Sequence, residues 1–273
     1  MVALNLAKAR QASLEIDTTW YSYKRKHSDL VSPRVVEIDY FEHLNNFLSI
    51  SNVPPALHMR LGQVMRRLPR DVRQKMGYVL DSDINTFDEF SIRTLDGSFE
   101  NVSLLPDAET IREFLKFPNV ESHWFRSWKH QLTKQRSIAV HVRMGDYLNF
   151  PGIYGFITRD YYASALKILG ATSKSPIWLF SDQPEQAFLW LRDIPLNFRI
   201  IPTPHSVRAG EVMRLMSICD SIVIAHSTFS WWAAYLGSLD DGNKTVVMPN
   251  RFFSNQNAEK FNLKVPSWIQ LET

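Results

Sequence analysis

The sequence predicts an α/β protein whose second half is a parallel sheet covered by helices on both faces. Three observations carry this prediction. From residue 137 onward, strand-like and helix-like segments alternate five times. The strand-like segments are continuous apolar runs, as expected of strands buried on both faces. Polar residues gather where these runs end, and ligands of open α/β sheets bind beyond the carboxyl ends of the strands. Those ends hold His141 to Asp146, Ser181 and Asp182, Thr203 to Arg208, His226 to Ser230, and Asn250 with Arg251.

Taken in order, residues 2–11 suit a helix, with Leu4, Leu6 and Ala7 apolar and Lys8 and Arg10 near its end. Ser13 to Ile16 (SLEI) alternates like a strand. Between Tyr21 and Thr133 prolines and charges break the pattern, and helices are predicted at 40–48, 56–67 and 107–116, the last begun by Pro106 and Asp107. Ser137 to Arg143 (SIAVHVR) is a β-branched run. Thr158 then caps a helix through Leu169, with Tyr162, Ala165, Leu166 and Leu169 on one face. Further strands are predicted at Ile177 to Ser181, Phe198 to Ile201, Ser221 to Ala225 and Lys244 to Met248. Helices are predicted from Pro184 to Arg192, at 210–219 and at 229–238. The change in legibility places a domain boundary between residues 1–133 and 134–273.

With 273 residues, 45% apolar and 22% charged, the chain can bury a core without crosslinks. Its one cysteine, Cys219, lies in an apolar stretch and reads as a buried, inert thiol. The formal charge of +3 is spread along the chain, which argues against a nucleic-acid partner. The small basic clusters at Tyr23 to Lys26 and at Arg66, Arg67 and Arg70 read as solvated surface, with peripheral contact to an anionic bilayer as the alternative. No apolar run is long enough to span a membrane, and MVALNLAKARQ is too short for a signal peptide. A cytoplasmic location, possible membrane contact being peripheral, is the expectation.

Familiar nucleotide, zinc and hydrolase motifs are missing: no P-loop, no G-x-G-x-x-G after a strand, no Cys/His set with zinc spacing, no G-x-S-x-G. Asp81-Ser82-Asp83 has the D-x-D form that chelates a metal and a sugar nucleotide in one class of transferases. It lies outside the legible sheet and reads first as a helix cap or loop.

The strand ends supply the candidate chemistry. Arg143 is suited to a forked, charge-assisted grip on a diphosphate, and His141 shares its face of the strand. Asp146, beyond Gly145, is placed either to orient Arg143 or to take a proton from an acceptor. Ser227, Thr228 and Ser230 stand at a helix start, where open N–H groups and the dipole favour an anion; plain N-capping is the bland reading. Glu211 begins a helix and can accept both N1–H and N2–H of guanine, or simply complement the dipole. Asp182 suits a ribose hydroxyl or a cap of the next helix. Trp231, Trp232, Ala233 and Leu236 read as helix packing.

HVRMGDY, FSD, EVMRLMSICDSIVIAHSTFSWWAAYL and VMPNRFF, in that order and spacing across residues 137–253, resemble glycosyltransferase family 11, the alpha-1,2-fucosyltransferases. Two weaker similarities lie earlier, ALNLAKARQASLEIDTTWY to the family's first helix, second strand and loop, and LDGSF to a GYFQSE-like segment. The resemblance implies a GT-B fold, two Rossmann-like domains, an acceptor-side N-terminal one and a C-terminal one that binds GDP-fucose. It also implies inverting transfer of fucose to the 2-hydroxyl of a galactoside-terminated glycan, without a cofactor or required metal. His141, Arg143 and Asp146 fall on the motif H-x-R-R-x-D, whose first arginine holds the β-phosphate in the wider group. Glu211 falls on the acidic position that reads guanine with the motif histidine, and Thr228 and Ser230 on hydroxyl positions near the diphosphate. Met144 replaces the motif's second arginine, and His226 stands where relatives often have asparagine. The family's G-G-x-G-N-Q loop is absent, so the N-terminal domain is expected to be incomplete, lacking its first strand and leaving the apolar face of helix 2–11 exposed. The alternatives are an impaired sugar-nucleotide or glycan binding protein, and a metal-dependent transferase using Asp81 and Asp83.

Overall fold

In the first part of the chain the strands are short, because prolines, glycines and charges interrupt the apolar runs. The computed structural model describes residues 1–18, 36–51, 55–83, 92–145, 157–252 and 262–273. The chain divides into two compact units, Met1–Lys116 with Glu259–Leu263 and Phe117–Ala258 with Lys264–Thr273.

In the first unit, α1 (Val2–Ala9) leads to β1 (Leu14–Ile16), then α2 (Glu42–Phe47), β2 (Leu48–Ile50), α3 (Pro55–Arg67), α4 (Arg70–Lys75), β3 (Tyr78–Leu80), β4 (Thr94–Asp96) and α5 (Ala108–Phe114). Strands β1 and β2 pair in parallel, as do β3 and β4. Leu4, Leu44 and Phe114 form a small buried cluster under Met1, Leu14, Ile38, Phe41 and Phe47. This corrects the expectation of an exposed apolar face on α1: Leu4 is 1% exposed, because α2 and α5 cover it. Asp107 caps α5 by accepting from the Thr110 N–H at 2.9 Å, as its place before the helix predicts.

The second unit contains α6 (His123–Leu132), β5 (Ile138–Val142), α7 (Arg159–Ile168), β6 (Pro176–Ser181), α8 (Pro184–Leu191), β7 (Asn197–Ile200), α9 (Ala209–Ser217), β8 (Ser221–Val223), α10 (Thr228–Asp240), β9 (Thr245–Pro249) and β10 (Ile269–Leu271). The six strands form one parallel sheet in the order β10-β9-β8-β5-β6-β7. Counted from β5, that is the doubly wound order 3-2-1-4-5-6 with the topological switch point between β5 and β8. Right-handed crossovers then send the chain outward from β5 in one direction and from β8 in the other, with helices on opposite faces. The α/β class and the parallel sheet are as the sequence predicts. Val140, Leu179, Val223 and Val247 are fully buried at its centre, packed with Tyr161, Tyr162, Ala165 and Leu166 of α7.

The expected domain boundary lies at 133, whereas the units part between Lys116 and Phe117. Helix α6 goes with the sheet because its Phe125 and Leu132 are buried and Arg214 of α9 stacks 4.4 Å over the Phe125 ring while pairing with Glu121 at 3.1 Å. At the amino ends of the strands, Asp220 accepts from the N–H and hydroxyl of Ser137 at 2.7 and 2.9 Å, which locks β5 beside β8. No described helix is long and apolar enough to cross a membrane.

Candidate functional site

All five residues of β5 are buried, so the strand delivers its last side chains to the carboxyl edge from a fixed base. His141 is 5% exposed, and its ring lies 5.8 Å from that of Phe229 in the first turn of α10, across the switch point. Its Nδ1 is buried with no hydrogen-bond partner among the described residues. Burial first, then the Arg143 guanidinium and His226, push the His141 imidazole down to about 3. The ring is therefore neutral at neutral pH and offers one donor and one acceptor.

Arg143 follows directly. Its Nη1 lies 3.1 Å from Asp182 Oδ2, at the end of the neighbouring strand β6, and Asp182 Oδ1 accepts from the Met144 N–H at 3.0 Å. Asp182 thus holds the guanidinium and the turn behind it. It is not the cap of α8: that position is Gln183, whose N–H donates to Ser181 Oγ at 3.0 Å.

On the other side of the switch point, Ser227 is the N-cap residue of α10, yet its side chain makes no cap bond. The first backbone bond of the helix runs from Trp231 N–H to the Ser227 carbonyl at 3.0 Å. The N–H groups of Thr228, Phe229 and Ser230 therefore have no intrahelical acceptor, and the positive end of the dipole faces the strand ends. Thr158, Ser122 and Asp107 do cap their helices, so Ser227 departs from what the same residue type does elsewhere in the chain. Ser230 is fully buried and donates to the Ser227 carbonyl at 3.1 Å, turning its hydroxyl proton into the helix. Thr228 is half-buried.

The structure therefore brings His141, Arg143, Asp182 and the start of α10 together. Glu211 lies in the first turn of α9, half-buried, and no described contact ties it to that group. Asp146 lies outside the described residues.

Two groups at the site escape sequence reasoning in their role. Tyr162 donates to the His141 carbonyl at 3.0 Å, and Tyr161 to the Ile224 carbonyl at 2.7 Å, so α7 fastens the ends of β5 and β8. The signal was present: adjacent tyrosines on a buried helix face need acceptors, and strand-end carbonyls supply them. Trp231 is buried, its ring stacked 4.7 Å from that of Tyr235 and tilted 5.7 Å from that of Trp268, which makes it packing. Cys219 is fully buried and its thiol is pushed up to about 12 by burial.

Asp81 and Asp83 turn to different partners. Asp83 is 4% exposed and takes Arg73 at 2.9 Å and the Leu80 N–H at 3.2 Å. Asp81 accepts from the N–H groups of Ser98 and Phe99 at 2.9 and 3.1 Å. Gly97 permits that approach, since a Cβ there would sit 1.8 Å from Asp81 Oδ1. Among the described residues, no group of three His, Cys, Asp or Glu side chains is placed to hold a metal ion.

Fold and site together define a doubly wound α/β protein with an arginine, a buried histidine and an open helix start gathered at the switch point of its parallel sheet, the place where ligands of such sheets bind. Within that class, the chain belongs to glycosyl transferase family 11, whose model matches residues 112–272. It is 33% identical to the O-antigen biosynthesis glycosyltransferase WbnK of Escherichia coli over 137 residues, 49% of this chain and 44% of that protein. It is 27% identical to an alpha-1,2-colitosyltransferase of Escherichia coli over 140 residues, 50% of this chain and 48% of that one. Over 221 residues it is 25% identical to galactoside 2-alpha-L-fucosyltransferase SEC1 of Bos taurus, 72% of this chain and 58% of that one. The chain spans about half the length of the curated relatives it matches.

Proposed function

We propose that this chain is an inverting glycosyltransferase that moves L-fucose from GDP-fucose to the 2-hydroxyl of a galactoside. The observation that carries the proposal is the meeting of Arg143, neutral His141 and the uncapped start of α10 at the switch point of a family 11 chain. In the proposed reaction the acceptor oxygen attacks the anomeric carbon. The bond from that carbon to the β-phosphate oxygen breaks, and its electron pair leaves with GDP. Arg143 and the N–H groups of α10 neutralise the charge that develops on the diphosphate, the part a metal plays in other transferases. Thr228 adds a hydroxyl there. His141 and Glu211 read the guanine edge, and Asp146 receives the acceptor proton.

The donor sugar has a second reading, transfer of colitose, because a relative of similar identity is named an alpha-1,2-colitosyltransferase. A metal-dependent reaction through Asp81 and Asp83 is disfavoured, since both carboxylates already serve the backbone or an arginine.

The test is to incubate the chain with GDP-fucose or GDP-colitose and a lactose-type acceptor, and to follow GDP release with and without EDTA. The proposal expects acceptor-dependent release from GDP-fucose that persists under chelation. Preference for GDP-colitose selects the second donor. Activity lost to EDTA and restored by manganese supports the metal-dependent reading, and GDP-fucose binding without transfer marks a binding protein.

A further inference from the structure

We infer that Asp182 is a positioning residue, which sets the Arg143 guanidinium and the turn behind it to receive a diphosphate and does not itself bind the nucleotide. The inference rests on the site reading given under Proposed function. It begins from sheet register. Val142 and Ser181 are the last paired residues of β5 and β6, so Arg143 and Asp182 leave adjacent strands at the same level. The side chains meet at 3.1 Å and are 17% and 21% exposed. Such shielding makes the pair more defined than an open surface ion pair, which orders little.

The second contact sharpens the role. Asp182 Oδ1 accepts the Met144 N–H at 3.0 Å, so one carboxylate fixes both the guanidinium and the peptide that follows it. Both oxygens are engaged within the protein, so the carboxylate is itself held in place by the groups it orients. Nor does Asp182 cap α8: the N-cap position is Gln183, no side chain makes a cap bond there, and Pro184 occupies the first turn. The Asp182 contact at Nη1 helps to fix the plane of the guanidinium, and a fixed plane is the condition for a forked grip on phosphate oxygens. The same carboxylate cancels part of the arginine's charge, and the two effects oppose each other.

A double-mutant cycle on the full chain separates these effects, with GDP as the calorimetric probe. Asp182→Asn keeps an amide oxygen for the Met144 N–H and removes the charge that holds Arg143. Arg143→Ala is expected to weaken GDP binding about tenfold or more and Asp182→Asn about threefold to tenfold, while the double variant binds like Arg143→Ala alone, because contacting residues couple. Thermal melting of each variant checks the fold, and Asp182→Ser replaces Asp182→Asn if the latter does not fold. An Asp182 effect that persists undiminished beside Arg143→Ala overturns the inference in favour of direct contact or a general structural role. Unchanged or tighter GDP binding by Asp182→Asn overturns it in favour of charge cancellation. If the unaltered chain does not bind GDP, or Arg143→Ala binds it normally, the site reading itself falls, and the positioning role falls with it.

Discussion

Glu100 carries its Oε2 into the first unit without a hydrogen-bond partner among the described residues. Burial first, and the nearby Asp81 carboxylate second, push its carboxyl up to about 7. The folded state therefore binds this proton more tightly than the unfolded chain, whose glutamate titrates near 4.5. Stability contributed by the protonated form is complete below the unfolded value and is lost as pH rises through about 7. Glu100→Gln, which cannot ionise, is expected to stabilise the chain at pH 8 by about 1–3 kcal/mol, because the folded state no longer holds a buried carboxylate charge beside Asp81, and to change little at pH 4. Urea unfolding at the two pH values checks this, and equal effects at both would refute it. At this scale the sequence exposes residue types well and partners poorly. His141 and Arg143 stand out because a cation and an imidazole end an apolar strand. The partnership of Asp182 with Arg143 is hidden because it joins residues 39 positions apart through strand register.

Helices α9 and α10 approach each other closely at Gly237. A Cβ there would lie 2.4 Å from the Ser217 carbonyl oxygen and 2.8 Å from Lys244 Cε. Alanine is favoured over glycine inside a helix by up to about 1 kcal/mol. A contact with backbone at that distance costs more, because the two helices must part, and overpacking costs about 1–3 kcal/mol. Gly237→Ala is thus expected to lower the unfolding midpoint in denaturant, and an unchanged or raised midpoint would show that the helices are less tightly coupled. The same scale explains what could be read in advance. Apolar runs of five or six residues announce β5 and β6. Strands β2, β3, β4 and β10 have three residues each, too few to show a period. Helix α6 is missed by the sequence reading, because its aromatic residues are interleaved with histidine and lysine, although Ser122 caps it by accepting the Phe125 N–H at 3.1 Å.

For the whole molecule, the order of the strands matters more than any single motif. Three segments distant in sequence, 141–144, 181–182 and 226–230, meet because β5 is flanked by β6 and β8. Sequence patterning anticipates that polar residues share the carboxyl edge of the sheet, but not the strand order, which depends on packing across the layers. Glu211 is the residue whose part in the site rests most on resemblance, and it carries the guanine assignment. A carboxylate accepts both donors on the guanine edge and faces an acceptor at N1 of adenine, and a site that leaves a buried polar partner unpaired rejects the wrong base strongly. The most direct measurement is therefore a calorimetric titration of the chain with GDP and with ADP under the same conditions. The account predicts that GDP binds roughly tenfold or more tightly than ADP, with Glu211→Gln narrowing the gap. Equal affinity for the two nucleotides, or no binding of either, would contradict it.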